Sequence, residues 1–228
     1  ISSGEQAQFG GWLTMIAAEL DRRGINVGFV FRAGGSECSP KIRSEGTIQY
    51  YALSENHKVL GSEISNIYSD FEPNVVHLEG TEYPHSKYVL ELYPQKTILG
   101  LQGIISGYIP HYFGHVFRDP FFNKKNFLHL IASVVLLFGF IKFRNRKYVE
   151  VETLKLARYV MGRTDWDKAY AERYAADAKY FHVKRLIRYP FIATRHSPID
   201  MRTIFVSNPS RALKGFHTLL VSLTYLKR

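Results

Sequence analysis

The spacing of apolar residues changes several times along the chain, and each change marks an element. After the Gly10-Gly11 pair, Trp12, Leu13, Ile16, Ala17 and Leu20 recur at helical intervals, which predicts a helix with one buried face. Gly24 supplies the stop at its C-terminal end, and the apolar run 27–31 predicts a short strand. Further strands are expected at 48–53, 75–78, 97–101 and 158–161, with helices at 64–71, 87–92 and 150–157 between them. Alternation of this kind predicts an α/β fold with a largely parallel sheet. An opening of loop, helix and strand also implies an earlier strand, because the first helix of a βαβ unit crosses between two parallel strands. The chain ends on "TIFVSNPSRALKGFHTLLVSLTYLKR", read as a strand at 203–206, a turn-rich loop at 207–213 and an amphipathic helix at 215–227.

One segment breaks the alternation. Residues 127–141 are nearly all apolar, with Lys124 and Lys125 before them and Lys142, Arg144, Arg146 and Lys147 after. The run is shorter than the roughly 20 residues that cross a bilayer as a helix. Its basic flanks fit a helix resting in the headgroup region of an anionic membrane, ahead of a buried core helix and a true span. Composition adds that 228 residues with 46% hydrophobic content, 15 Tyr and 16 Phe can fill a real core. The single Cys38 excludes an internal disulfide framework and any cysteine-rich zinc site. A net charge of +10 suits nucleic acid, an anionic membrane face or phosphorylated small molecules. No recognition-helix signature or aromatic RNA-binding motif accompanies it, so nucleic acid is not the expected partner.

In parallel sheets, ligands bind beyond the carboxyl ends of strands. The loops that matter are therefore "AQFGG", "LEGTEYPHS", "LQGIISGYIPHYFGH" and "GRTDW". Gly10 and Gly11 precede a helix N-terminus, where a ligand can approach backbone N–H groups, or they simply make a tight turn. His77, Glu79, Glu82 and His85 cluster near a strand end and suit acid-base work or solvated loop positions, at a spacing that matches no metal pattern. Gln102 follows a buried strand; its amide can fix a hydroxyl but cannot titrate as a base. Thr164 and Asp167 form a capping-type pair, and Arg163 just before them is placed to face a cleft or an anion. Lys214-Gly215 sets an ammonium beside free helix N–H groups, a place for a diphosphate or an ordinary helix cap. No P-loop pattern surrounds it.

Six segments, "FGGWLTMIAAELDRRGINV", "DFEPNVVHLEGTEYPHS", "TILGLQGIISGY", "ARYVMGRTDWDKAYAERY", "AKYFHVKRLIRYPF" and "TIFVSNPSRALKGFHTLLVSL", together resemble a family 4 glycosyltransferase of GT-B fold. They cover most of the chain, and their order is more specific than any one of them. The resemblance implies two Rossmann-like domains, here 1–195 on the acceptor side and 196–228 as the start of a truncated donor-binding domain. It implies retaining transfer of a sugar from a nucleotide-sugar donor to a glycan or lipid-linked acceptor in cell-surface polysaccharide synthesis, without bound metal or other cofactor. Gly10, Gly11, Lys214 and Arg211 are the implied donor-side contacts, and Gln102, Glu79 and Arg163 the catalytic candidates. The enzyme would be cytoplasmic, peripheral on the inner membrane face, and inactive as this fragment alone.

The departures from the family are specific. Asn208 stands where many members have arginine, with Arg211 as the nearby substitute. Gln102 stands where many have histidine. Val183-Lys184-Arg185 replaces a segment carrying Asn-Glu, with Arg188 beyond it, and the paired-glutamate motif would lie past Arg228. The alternative class is a non-enzymatic basic module that binds a membrane surface or nucleic acid.

Overall fold

The computed structural model describes residues 11–32, 41–45, 47–114, 127–187, 193, 203–206 and 212–226. Two compact units divide the chain, Ile1–Gly103 with Glu152–Arg195 and Ile104–Val151 with His196–Arg228.

The first unit is α/β with parallel sheets. Helix α1 (Gly11–Arg22) ends as its glycine predicts: Gly24 takes φ 73°, its N–H donates to Asp21 O at 2.8 Å, and Ile25 N–H donates to Leu20 O at 3.0 Å. Strand β1 (Val27–Arg32) then runs parallel to β3 (Ile48–Leu53), whose other side pairs antiparallel with β2 (Lys41–Glu45). Helix α2 (Leu60–Phe71) lays Leu60, Ile64 and Ile67 against Tyr51 and Leu53. The fully buried Tyr51 keeps a polar outlet, donating its hydroxyl to Asp70 at 2.7 Å.

A second sheet of the same unit has the order β4 (Val76–Glu79), β5 (Thr97–Gly100), β6 (Tyr159–Gly162) and β7 (Lys179–His182), every neighbouring pair parallel. Parallel neighbours require crossover connections, and α3 (Pro84–Leu92) and α6 (Asp165–Tyr174) supply two of them. The core is formed by Leu78, Leu90, Leu99, Leu101, Leu154 and Val160. Each such side chain stabilises the fold by about 1.5–3 kcal/mol through burial.

The expected strands at 27–31, 48–53, 75–78, 97–101 and 158–161 are present within a residue or two, whereas the helices expected at 64–71 and 87–92 begin four and three residues earlier. Helix α3 starts at Pro84, whose fixed φ and missing N–H suit a first helical position. The strands missed from sequence, "KIRSE" and "KYFH", are short and carry charges, so no apolar run marks them. Residues 203–206, expected as a strand, have no strand pairing, and Ile204 and Phe205 are exposed there. The expected earlier strand and its glycine loop through Gly10 lie outside the described residues, as do Cys38, Arg188, Asn208 and Arg211.

Apart from residues 203–206 and short turns, the described residues of the second unit are helical. Helix α4 (Ile105–Tyr108) and a 3₁₀ turn (Ile109–His111) precede α5 (Phe127–Leu156), a single helix that joins the apolar segment to the helix expected at 150–157. A second 3₁₀ turn (Ala212–Lys214) leads into α7 (Phe216–Tyr225). The buried Glu150 carboxylate receives the N–H groups of Ile105 at 2.6 Å and Ser106 at 2.9 Å, with the Ser106 hydroxyl at 2.6 Å. It thereby satisfies donors that a helix start otherwise leaves unpaired. His217 Nε2–H likewise donates to Gly114 O at 2.6 Å.

The capping pair is confirmed. Asp167 N–H donates to Thr164 Oγ1 at 3.1 Å, while Asp167 Oδ2 receives Thr164 N–H at 3.1 Å and Arg163 N–H at 2.8 Å. Replacing Asp167 with Ala should lower stability by about 1–2 kcal/mol. Urea unfolding of both proteins measures this, and an unchanged midpoint would contradict the assignment.

Candidate functional site

Four successive parallel strands deliver residues to one place. Glu79 is the last residue of β4, Leu101 follows β5, Gly162 ends β6 and is followed by Arg163, and Val183, Lys184 and Arg185 follow β7. With His77, Met161 and the α1 residues Trp12 and Ile16, they line a small cleft of about 50 Å³ that opens to solvent. Its position beyond the strand carboxyl ends is where parallel α/β sheets place ligands.

The floor of the cleft is a buried ion pair. The Glu79 side chain is 6% exposed and meets the Arg185 guanidinium in a fork, Oε2 to Nη2 at 2.9 Å and Oε1 to Nη1 at 3.2 Å. His77 Nε2–H adds a third bond to Oε1 at 2.7 Å. Arg185 also donates to Leu101 O at 3.2 Å and lies 3.6 Å from the centre of the Trp12 ring, a cation-π contact. Burial raises the Glu79 carboxyl pKa, but the bonds from His77 and Arg185 outweigh it and hold the group below its ordinary range. Gly100 makes room for this arrangement, since a Cβ there would come within 2.5 Å of Glu79 Oε1.

Glu79 is therefore a fixed anion whose oxygens are engaged, suited to holding Arg185 and unsuited to taking a proton from a substrate. Arg163 is exposed at the rim and spends one Nη2–H on Gln102 O at 3.0 Å. Lys184 is exposed on the same cleft. Among the described residues neither Arg163 nor Lys184 forms an ion pair, whereas Arg185 is neutralised by Glu79. The arrangement gives a cationic rim over a neutral floor, which can attract a phosphate or another anion and orient it through N–H donors.

The other candidates fall as follows. Gln102 is exposed, and its backbone carbonyl accepts the bond from Arg163. Glu82 turns back to the Thr81 N–H at 3.1 Å. Gly80 adopts φ 90°, the special turn its sequence position suggests, and its carbonyl receives the buried Ser86 hydroxyl at 2.8 Å. Gly11 opens α1, while Gly10 and Arg211 lie outside the described residues. Lys214 is exposed in the second unit, at the end of a 3₁₀ turn and directly before Gly215 (φ 71°) and α7. Among the described residues no group of three or more His, Cys, Asp or Glu is placed to hold a metal ion.

Sequence reasoning missed Arg185 and Trp12. Trp12 reads as one more apolar position on a helix, and Arg185 as part of a basic insertion. The signal that finds Arg185 is the strand before it: once "KYFH" is recognised as β7, the following Val183-Lys184-Arg185 is a carboxyl-end loop like the others.

Two groups make stability depend on acid. Burial and the nearby Arg32 charge lower the His85 pKa to about 4, and its ring stacks on Tyr83 with centroids 5.6 Å apart. Its neutral form is thus favoured on folding, so its contribution is full above about pH 6.5 and is lost as pH falls toward 4. Glu79 contributes above its unfolded value of about 4.5 and loses that contribution as pH falls through its lowered folded value. Urea midpoints from pH 7 to pH 3 should fall across both windows. His85→Gln should flatten the first and Glu79→Gln the second; variant curves parallel to the native one would contradict these assignments.

The sequence matches no protein-family model, and it has no significant match to a curated protein.

Proposed function

We propose that the chain belongs to a retaining glycosyltransferase of GT-B architecture, with residues 1–195 on the acceptor side and 196–228 opening the donor-binding domain. The observation that carries this reading is the convergence of four strand ends on a cleft with cations at its rim. A parallel sheet that presents Arg163 and Lys184 beyond its carboxyl ends suits a substrate with an anionic group such as a phosphate. The ordered resemblance of the six sequence segments narrows that chemistry to sugar transfer.

In this reading the donor is a nucleoside-diphosphate sugar and the acceptor a glycan or lipid-linked glycan. Lys214 and the N-terminus of α7 meet the donor diphosphate and offset the charge that grows on it as the glycosidic bond breaks. Arg163 and Lys184 orient the anionic part of the bound substrate. Arg185 acts through position, held by Glu79 so that the rim stays in register. Gln102 remains the candidate to fix an acceptor hydroxyl through its exposed amide. The reaction requires no metal or other cofactor.

The test is transfer by the full-length protein from a panel of nucleoside-diphosphate sugars to free and lipid-linked glycans, with and without chelator. Sugar transfer insensitive to chelator is expected. Arg163→Ala should lower kcat/KM by about 100-fold, or ~2.7 kcal/mol, with an unchanged urea midpoint. Hydride or phosphoryl transfer without sugar transfer would overturn the reading, as would full activity in Arg163→Ala.

A further inference from the structure

A second group of polar side chains gathers at the carboxyl ends of β1, β3 and β4, and none of its members lines the cleft. Arg32 is the last residue of β1, Glu55 follows β3, Tyr83 precedes α3 and His85 lies in its first turn. The backbone that presents them is fixed. Thr81 and Ser86 are fully buried, and the Ser86 hydroxyl holds Gly80 O. Beyond β3, Ser54 N–H donates to Glu63 Oε2 at 2.9 Å and Asn56 N–H donates to Ser54 Oγ at 3.2 Å, one on each side of Glu55. Loops anchored in this way hold side chains at set positions, as binding sites require.

The side chains themselves are only partly engaged. Arg32 Nη2 meets Glu55 Oε1 at 3.4 Å, a long contact between exposed groups that a ligand can replace at little cost. The Arg32 guanidinium lies 5.6 Å from the centre of the Tyr83 ring, and His85 stacks on that ring with 11° between the planes. His85 is half-buried, yet among the described residues no hydrogen bond engages either of its ring nitrogens. A polar group drawn out of water without a partner needs an explanation, and a ligand supplies one. Burial and the Arg32 charge keep the imidazole neutral at pH 7, so it offers one donor and one acceptor. Charge then decides the class of ligand. Arg32 is offset by Glu55 and His85 is neutral, so the group as a whole gives an anion no advantage, unlike the Arg163 and Lys184 rim. A guanidinium, a carboxylate and an imidazole together present donors and acceptors to hydroxyl groups, which are themselves both. We propose that Arg32, Glu55 and His85 form a subsite for a neutral sugar ring. The inference rests on the sugar-transfer reading only in making that sugar part of the acceptor.

Saturation-transfer NMR of the full-length protein with a panel of neutral methyl hexosides tests the binding, with inorganic phosphate added as a competitor. At least one hexoside should give a signal that phosphate does not diminish. His85→Phe keeps a stacked ring but removes both nitrogens, and should weaken that hexoside about tenfold or more. His85→Gln returns a donor and an acceptor and should recover most of the loss. Arg32→Met, at an exposed position, should weaken binding by a similar factor at the native urea midpoint, and supplies the reading if His85→Phe does not fold. No signal from any hexoside, displacement by phosphate, or a folded His85→Phe or Arg32→Met protein that binds like the native chain would overturn the proposal. In transfer assays the same two variants should raise the acceptor KM about tenfold with kcat and donor KM unchanged. Hexoside binding lost in the variants of a protein that transfers no sugar would uphold the subsite and overturn the glycosyltransferase reading alone. Sugar transfer with an unaltered acceptor KM in both variants would do the reverse.

Discussion

The interaction on which the first unit depends is the fork between Glu79 and Arg185. Its partners come from distant parts of the chain: Glu79 from the end of β4, Arg185 from beyond β7, the Leu101 carbonyl from the end of β5 and Trp12 from α1. Bringing a carboxylate that is 6% exposed out of water is costly, and such a pair adds little net stability compared with apolar packing. Its consequence is spatial. A guanidinium tied at both nitrogens, at a backbone carbonyl and against a ring has little freedom, and the loop after β7 is held where it closes one side of the cleft. Gly100 belongs to the same constraint, because a side chain there would occupy the space of the Glu79 carboxylate.

This constraint changes the chemical meaning of the residues around it. As a sequence, Glu79 in "VVHLEGTEYPHS" reads as a candidate acid-base group; in the fold it is an anchored counter-ion. The freedom to meet a ligand passes to Arg163 and Lys184, one bound through a single backbone carbonyl and the other exposed. Glu150 is the helical unit's counterpart, a buried carboxylate spent on the N–H groups that open α4. In both places the acid organises backbone and cations, and in neither does it face a substrate.

The α/β alternation was legible because helix-period and strand-period apolar runs are local signals, and so were the capping pair Thr164/Asp167 and the stop at Gly24. Tertiary pairings were not. Nothing in the spacing of Trp12, Glu79 and Arg185 announces that they meet, since 106 positions separate the two members of the ion pair. The edge strand β7 was lost for a related reason: half of its short span is polar and exposed, and with it went the loop that carries Lys184 and Arg185. For α5 the sequence supplied the apolar run and its basic flanks, but not that this run and the helix expected at 150–157 are one continuous helix of 30 residues. Arg163 was legible throughout, because its place before a helix cap and after a strand is written in "MGRTDW".

A double-mutant cycle tests the organising role of the ion pair most directly. Glu79→Gln, Arg185→Gln and the combination, compared with the native chain by urea unfolding, isolate the coupling between the two side chains. A coupling of about 2 kcal/mol or more is predicted, because each single variant leaves the other group buried without its partner. A coupling below about 0.5 kcal/mol would show the two residues acting independently, and the cleft would then owe its shape to something other than this pair.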